Sequence, residues 1–117
     1  MIREASPVLP AIEYVKSHYM EEFDIEMLAS MCYLCEAQFL SLFKKAVGMS
    51  PTKYKNFLRM QRAKALLKEG RYRESEIAAM LGFKNINYFC RVIKNHTGIT
   101  PSAYQKMQIK SNNLSKF

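Results

Sequence analysis

Two short stretches of this 117-residue chain, near residues 35–47 and 85–97, carry side chains that could recognise a polar ligand. In the second stretch Asn87 and Arg91 lie four residues apart, so a helix would present both on one face. Arg pairs with guanine and Asn with adenine through two hydrogen bonds each, so reading of DNA bases is one interpretation. The alternative is an ordinary solvated helix surface.

The cysteines do not form a recognisable metal or redox site. Cys32 and Cys35 are spaced as C-x-x-C, but zinc needs four ligands, and neither Cys90 nor a histidine completes the set at a usual spacing. We expect reduced thiols, no metal and no cofactor. We also find no Ser/His/acid set, no carboxylate pair suited to catalysis and no glycine-rich phosphate loop, so we expect no enzyme.

Charge is distributed unevenly along the chain. Residues 1–43 contain two basic and seven acidic residues, whereas residues 44–117 contain sixteen basic and three acidic ones. A basic two-thirds behind an acidic third favours a polyanion bound on one side. A generally basic, soluble surface is the alternative.

The composition is typical of one globular domain, with 49% hydrophobic residues, 24% charged residues, four glycines and four prolines. The sequence has neither a run of eighteen apolar residues nor the apolar stretch of a signal peptide. We therefore expect a cytoplasmic protein with no membrane partner.

Apolar periodicity and helix-end signals predict an all-α fold of about seven helices. The longest helix is predicted over residues 51–69, with Gly70 ending it. Caps are predicted at Asp24, Ser50, Ser75 and Thr100, and a proline follows Ser50 and Thr100 as the first helical residue. Aromatic residues at core spacing are Tyr54, Phe57, Tyr88, Phe89 and Tyr104.

An internal repeat indicates the architecture. One pattern occurs twice, fifty residues apart, as Phe39…Lys44…Gly48-x-Ser50-Pro51-x-x-Tyr54 and Phe89…Lys94…Gly98-x-Thr100-Pro101-x-x-Tyr104. Each copy consists of a short helix, a tight turn and a longer helix, and the turn of the second copy is one residue longer. The repeat predicts two helix-turn-helix subdomains, at about residues 24–48 and 75–98, joined by a long central helix.

The central helix has a length that suits DNA. Residues 51–69 would span roughly 28 Å at about 1.5 Å per residue. Successive major-groove faces on one side of a duplex lie about 34–36 Å apart. We therefore expect one recognition helix from each subdomain in adjacent major grooves.

Further landmarks extend the pattern over most of the chain. They are Leu28-Ala29, Phe43-Lys44-Lys45, Arg59-x-x-x-Ala63-x-x-Leu66-Leu67, Ile77-Ala78-x-x-x-Gly82-Phe83 and Tyr88-Phe89-x-Arg91-Val92. With the repeat, they resemble the DNA-binding domain of the AraC/XylS family of bacterial transcription regulators. The resemblance implies such a domain over residues 8–107, after a linker remnant (1–7) and before a flexible tail (108–117).

The resemblance implies sequence-specific binding of double-stranded DNA. The residues expected to face bases are Ala37, Leu40, Ser41, Ile86, Asn87, Cys90, Arg91 and Asn95. The residues expected at phosphates are Lys44, Lys45, Lys53, Ser75, Lys84, Lys94 and Ser102. Arg59, on the central helix, is interpreted as structural.

The first recognition helix departs from the family pattern. Cys35 replaces the usual initial Ser, Ser41 replaces the usual Arg, and Leu40 replaces a polar residue. The positions that would face the groove, Ala37, Leu40 and Ser41, thus supply no long donor. We interpret this helix as contributing phosphate contacts and contacts to thymine methyl groups more than base selection.

Family members usually carry this domain behind a sensor, receiver or dimerisation domain. We expect the chain to be a fragment, in which case such a domain is a further partner. RNA polymerase is another candidate partner, facing the acidic residues 21–24. The alternative function, motivated by the depleted first recognition helix, is a protein-interaction module on the same fold with weakened DNA binding.

Overall fold

The computed structural model describes residues 6–107, which contain seven helical segments and no strand. Six are α1 (Leu9–His18), α2 (Ile25–Met31), α3 (Glu36–Val47), α4 (Pro51–Glu69), α5 (Glu74–Met80) and α6 (Ile86–Thr97). Residues 101–107 are also helical, up to the end of the described range. The predicted all-α fold is thus confirmed. The predicted tail (108–117) and residues 1–5 of the predicted linker lie outside the described residues.

The described chain divides into two compact units, with the boundary in the sequence between Leu58 and Arg59. This boundary falls within α4, so one helix supplies residues to the core of each unit. The predicted long helix over residues 51–69 is confirmed with the same bounds. Along the described residues, no helix is both long enough and apolar enough to cross a membrane.

The core of the first unit is centred on aromatic residues of α3 and α4. Phe39 and Phe43 are fully buried with ring centroids 5.6 Å apart, and the Tyr54 ring lies 6.0 Å from that of Phe43. Burial of each large apolar side chain contributes about 1.5–3 kcal/mol, which fixes the side of α3 that faces inward. The other buried members of this apolar cluster are Val8, Ala11, Ile12, Val15, Leu28, Ala29 and Cys32.

The core of the second unit repeats this organisation. Phe89 of α6 is fully buried, and its ring centroid lies 5.2 Å from that of Phe83. Val92 and Ile93 complete the inward side of α6. The other buried members of this apolar cluster are Met60, Ala63, Leu66, Leu67, Ile77, Ala78 and Leu81. The fifty-residue repeat in the sequence is therefore a repeat of core positions.

The ends of α3 and α6 also match in backbone detail. Gly48 and Gly98 follow the two helices with φ values of 92° and 83°, in the left-handed region. Their N–H groups donate to the carbonyl oxygens of Lys44 and Lys94, each at 2.7 Å. Glycine adopts this conformation without a Cβ clash, so both predicted helix stops are confirmed.

The turns inside the two helix-turn-helix elements differ in length and in the residue at their left-handed position. The second turn (81–85) is one residue longer than the first (32–35), as predicted. Each turn contains a residue of positive φ, Gly82 at 85° and Tyr33 at 57°. The left-handed conformation raises the free energy of a residue with a Cβ by about 1–2 kcal/mol. Tyr33 is 96% exposed, so packing does not offset its cost.

Three of the four predicted caps are confirmed. The Asp24 carboxylate accepts a hydrogen bond from the N–H of Met27 at 2.7 Å. Ser50 and Thr100 accept bonds from N–H groups three residues ahead, each at 3.2 Å. These bonds satisfy backbone donors that have no partner within their own helix.

The predicted cap at Ser75 is wrong. α5 begins at Glu74, and Arg73 occupies the capping position. The Glu76 carboxylate accepts a hydrogen bond from the Arg73 N–H at 3.0 Å. A glutamate three residues into the helix thus replaces a serine cap, and Ser75 lies exposed in the first turn.

Among the aromatic residues predicted in the core, Tyr88 is misplaced, since it is 40% exposed. Phe57 and Tyr104 are half-buried, at the edges of the two cores. Arg59 is 2% exposed, with its guanidinium carbon 4.9 Å from the centroid of the Phe83 ring. This burial agrees with the structural interpretation of Arg59.

Candidate nucleic-acid interface

α6 has a buried side and an opposite exposed side. Phe89 and Ile93 are fully buried, whereas Asn87, Arg91 and Asn95 are exposed. Residues four apart along a helix share a face, so the three polar side chains lie on one exposed surface. The structure thus brings three predicted readers together on the exposed side of α6, namely Asn87, Arg91 and Asn95.

The first turn of α6 is held by Asn85. Its side-chain oxygen accepts hydrogen bonds from the N–H groups of Asn87 at 2.7 Å and Tyr88 at 3.2 Å. The guanidinium carbon of Arg91 lies 5.9 Å from the centroid of the Tyr88 ring. A cation–π contact of this kind contributes about 0.5–1 kcal/mol at an exposed site. It restricts the conformations of Arg91 before any ligand binds.

Two other residues predicted to face bases do not lie in this row of polar side chains. Ile86 is 39% exposed, at the start of α6. Cys90 is half-buried and packs against the second core. Burial raises the pKa of the Cys90 thiol, and the nearby Glu74 carboxylate raises this pKa further. Among the residues predicted to face bases, Cys90 is therefore the one whose side chain is only partly exposed.

α3 has the same two-sided arrangement but a different exposed surface. Phe39 and Phe43 point into the first core, and Ala37, Leu40 and Ser41 are exposed. These three predicted readers share the exposed side of α3. Their side chains are short or apolar, and the Ser41 hydroxyl is the single group among them that could form a hydrogen bond with a base edge.

Gln38 is a long polar residue on α3 that the sequence interpretation missed. It is exposed, and its side-chain oxygen lies 3.6 Å from the Cys35 sulfur, whose thiol can donate to it. The residues predicted to read bases on α3 did not include this long amide. Its position in the sequence indicates this exposure, since Gln38 follows Ala37 directly and lies three residues before Ser41, but it is not one of the positions that the family pattern assigns to bases.

The charges at the two helix starts differ. Glu36 lies in the first turn of α3, whereas the first turn of α6 contains no acidic residue. The start of a helix carries a partial positive charge that favours anions, and a carboxylate there satisfies part of it. The start of α6 is accordingly the more favourable of the two for a phosphate.

The residues predicted at phosphates are all exposed: Lys44, Lys45, Lys53, Ser75, Lys84, Lys94 and Ser102. Lys44 and Lys45 lie in the last turn of α3, and Lys94 lies in the last turn of α6. The Ser102 hydroxyl donates to the Glu74 carboxylate, so a phosphate would compete with an acidic side chain there. The basic residues are thus better placed for anions than Ser102.

The three cysteines differ in exposure. Cys32 is buried in the first core, Cys35 is exposed at the capping position of α3, and Cys90 is intermediate. Within residues 6–107, no three or more His, Cys, Asp or Glu side chains are grouped closely enough to hold a metal ion.

Comparisons with known proteins agree with this geometry. A helix-turn-helix domain family matches residues 28–107 of the chain. The regulatory protein PocR of Salmonella typhimurium is 35% identical over 107 residues, covering 92% of this chain and 35% of PocR. Three of the curated relatives are matched over only 28%, 35% and 39% of their own lengths, so the chain spans about a third of them.

Solved structures share the fold. The DNA-binding domain of AdpA, determined with a target DNA, superposes with a TM-score of 0.79 at 25% identity, covering 88% of this chain and 93% of AdpA's. The C-terminal domain of the response regulator yesN from Fusobacterium nucleatum superposes with a TM-score of 0.74 at 29% identity, covering 81% of this chain and 93% of that domain.

These relatives are regulators with DNA-binding domains rather than enzymes, and they do not favour the alternative of a protein-interaction module. The match of the family over more than half of the chain and the two helix-turn-helix elements give one conclusion. The chain belongs to the AraC/XylS family of transcription regulators and carries the DNA-binding domain of that family.

Proposed function

We propose that the chain binds a specific double-stranded DNA sequence, with α3 and α6 in adjacent major grooves. The observation that carries this proposal is the exposed surface of α6. Asn87 and Arg91 lie on this surface, on the side of the helix opposite the buried Phe89 and Ile93. Arg91 reads guanine and Asn87 reads adenine, because their planar donor groups match the major-groove edges of these bases. The equivalent surface of α3, fifty residues earlier, enters the neighbouring groove.

Backbone contacts add affinity without selecting sequence. Lys44, Lys45 and Lys94, in the last turns of α3 and α6, neutralise phosphates that border the two grooves. Lys53 and Lys84 are exposed next to the starts of α4 and α6 and act in the same way. Each neutralised phosphate releases bound counterions, which makes binding strongly dependent on salt.

The chain acts in this proposal as the output domain of a longer cytoplasmic regulator. The support is its length, since it spans about a third of the curated relatives. A sensor, receiver or dimerisation domain would then control how many copies bind DNA together. Contact with RNA polymerase, through a surface other than the exposed sides of α3 and α6, would convert binding into activation or repression.

Selection of bound duplexes from a random library tests the proposal. We expect an enriched motif with two half-sites whose centres are about 10 base pairs apart, one helical turn of DNA. We also expect stricter selection in one half-site, the one that α6 reads. The logarithm of the binding constant should fall linearly with the logarithm of the salt concentration.

The matched control is a duplex of the same composition with the motif shuffled. Failure to enrich any sequence at low salt would refute specific DNA binding. Enrichment of a single half-site would refute the adjacent-groove arrangement. It would show that only one of the two helices selects the DNA sequence.

A further inference from the structure

We infer that Gln38 reads an adenine in the half-site that α3 contacts. This inference rests on the proposed function, since it names the base that the first unit selects. No residue predicted from the family pattern supplies this contact, because Ala37, Leu40 and Ser41 have no group that bonds a base edge twice.

The position of Gln38 suits a base edge. It is exposed in the first two turns of α3, the end that enters the groove when recognition helices bind DNA. Its neighbours Ala37 and Ser41, one and three residues away, are both small and exposed. The side chains of Ala37 and Ser41 therefore leave room for the longer Gln38 amide, and Leu40 is the one large apolar residue among the three predicted readers of α3.

Cys35 positions the amide in advance. The Cys35 sulfur lies 3.6 Å from the Gln38 side-chain oxygen, within the first turn of the helix. A thiol is a weak donor, so this contact orders the side chain and yields to a stronger donor. The N6 amino group of adenine is such a donor.

The chemistry of the amide selects adenine among the four bases. An amide has one acceptor and one donor group, and adenine presents a donor at N6 beside an acceptor at N7. Guanine presents two acceptors, cytosine a donor and thymine an acceptor beside a methyl group. Only adenine bonds both halves of the amide.

A phosphate is a less suitable ligand for Gln38. Glu36 lies two residues before it in the first turn of α3, and its carboxylate repels a phosphate at this end of the helix. Base edges carry no net charge, so Glu36 does not oppose their approach in the same way. The local charge therefore favours a base over the DNA backbone.

Two variants test the inference against the motif selected by the unmodified chain. Gln38→Ala should abolish the preference for adenine at one position of the first half-site and weaken binding to the motif about 5- to 150-fold, as expected for one lost bidentate contact. Gln38→Glu should change the preference at that position to cytosine, because a carboxylate accepts from the N4 amino group.

Lys45→Ala, on the same helix, is the control, since it should weaken binding to all sequences equally. A selected motif that stays unchanged in both Gln38 variants would overturn the inference while leaving the proposed function intact. A uniform loss of affinity in Gln38→Ala, with a smaller salt dependence, would show a phosphate contact and also overturn it. If the unmodified chain enriches no motif, the proposed function fails, and the inference fails with it.

Discussion

α3 and α6 occupy equivalent places in the two units, and their buried sides are nearly the same. Phe39 and Phe89 are both fully buried, fifty residues apart. The exposed sides differ, since Ser41 on α3 stands where α6 has Arg91. Packing therefore restricts one side of each helix to large apolar residues, and the other side is free to differ, as the proposed reading of two different half-sites requires.

The two turns that precede these helices differ in the same manner. Gly82 supplies the left-handed residue of the second turn at little cost, whereas Tyr33 adopts a similar conformation with a Cβ and an exposed ring. The fold thus tolerates different residues at equivalent places as long as the backbone path is kept. The following predictions test which differences between the units have energetic consequences.

The largest effect is expected where the units are most alike. Phe39→Ala and Phe89→Ala should each lower the free energy of unfolding by about 3–5 kcal/mol, because each removes a fully buried ring and leaves a cavity. Chemical denaturation monitored by circular dichroism measures both losses. A loss below about 1 kcal/mol in only one variant would show that the two cores are not equivalent.

Arg91→Ala should have the next largest effect, and it concerns DNA binding. Loss of a bidentate contact to guanine costs about 1–3 kcal/mol of discrimination, so the variant should relax selection at one position of the motif. Ser41→Ala, at the equivalent place on α3, is the matched control and should change selection little. Equal effects of the two substitutions would contradict the proposed difference between the helices.

The turn residues should give opposite shifts in stability. Gly82→Ala places a Cβ on a left-handed residue and should lower the free energy of unfolding by about 1 kcal/mol. Tyr33→Gly removes this strain but makes the unfolded chain more flexible, so a net gain of about 0.5 kcal/mol is expected. Thermal unfolding of both variants checks the signs, and a destabilised Tyr33→Gly would mean that the exposed ring has a structural role.

The smallest effect is expected from single phosphate contacts. Lys44→Ala and Lys94→Ala should each weaken binding a few-fold to every sequence and reduce the slope of log K against log salt by about 0.9. Lys68→Ala, an exposed residue in the last turn of α4, is the control. Binding curves at several salt concentrations give the slopes. A change in base preference in either variant would place that lysine at a base instead.

The architecture was predictable from short-range signals. Gly48 and Gly98 mark helix ends because only glycine adopts their backbone conformation freely, and Asp24 marks a start because its carboxylate reaches the N–H of Met27. These preferences depend on a few neighbouring residues. Ser75 was misassigned because Glu76, reaching back to the Arg73 N–H, competes with a serine cap, and sequence alone does not rank the two.

The site was harder to predict because exposure depends on the rotation of a helix by a fraction of a turn. Tyr88 precedes the buried Phe89 by one residue and is exposed. Cys90 follows Phe89 by one residue and is half-buried, since it packs against a core to which α4 and α5 contribute. Gln38 was not predicted for a different reason, since it lies outside the positions that the family pattern assigns to base contacts.

The different exposure of the three thiols also makes the chain suitable for spectroscopic labelling. Cys32 is buried, and Cys90 is half-buried with a thiol pKa raised by burial and by Glu74, so both should be alkylated more slowly than an exposed thiol. A maleimide fluorophore should therefore attach first to Cys35, at the start of α3, without any substitution in the sequence. The emission of such a probe would report directly on the approach of α3 to a duplex.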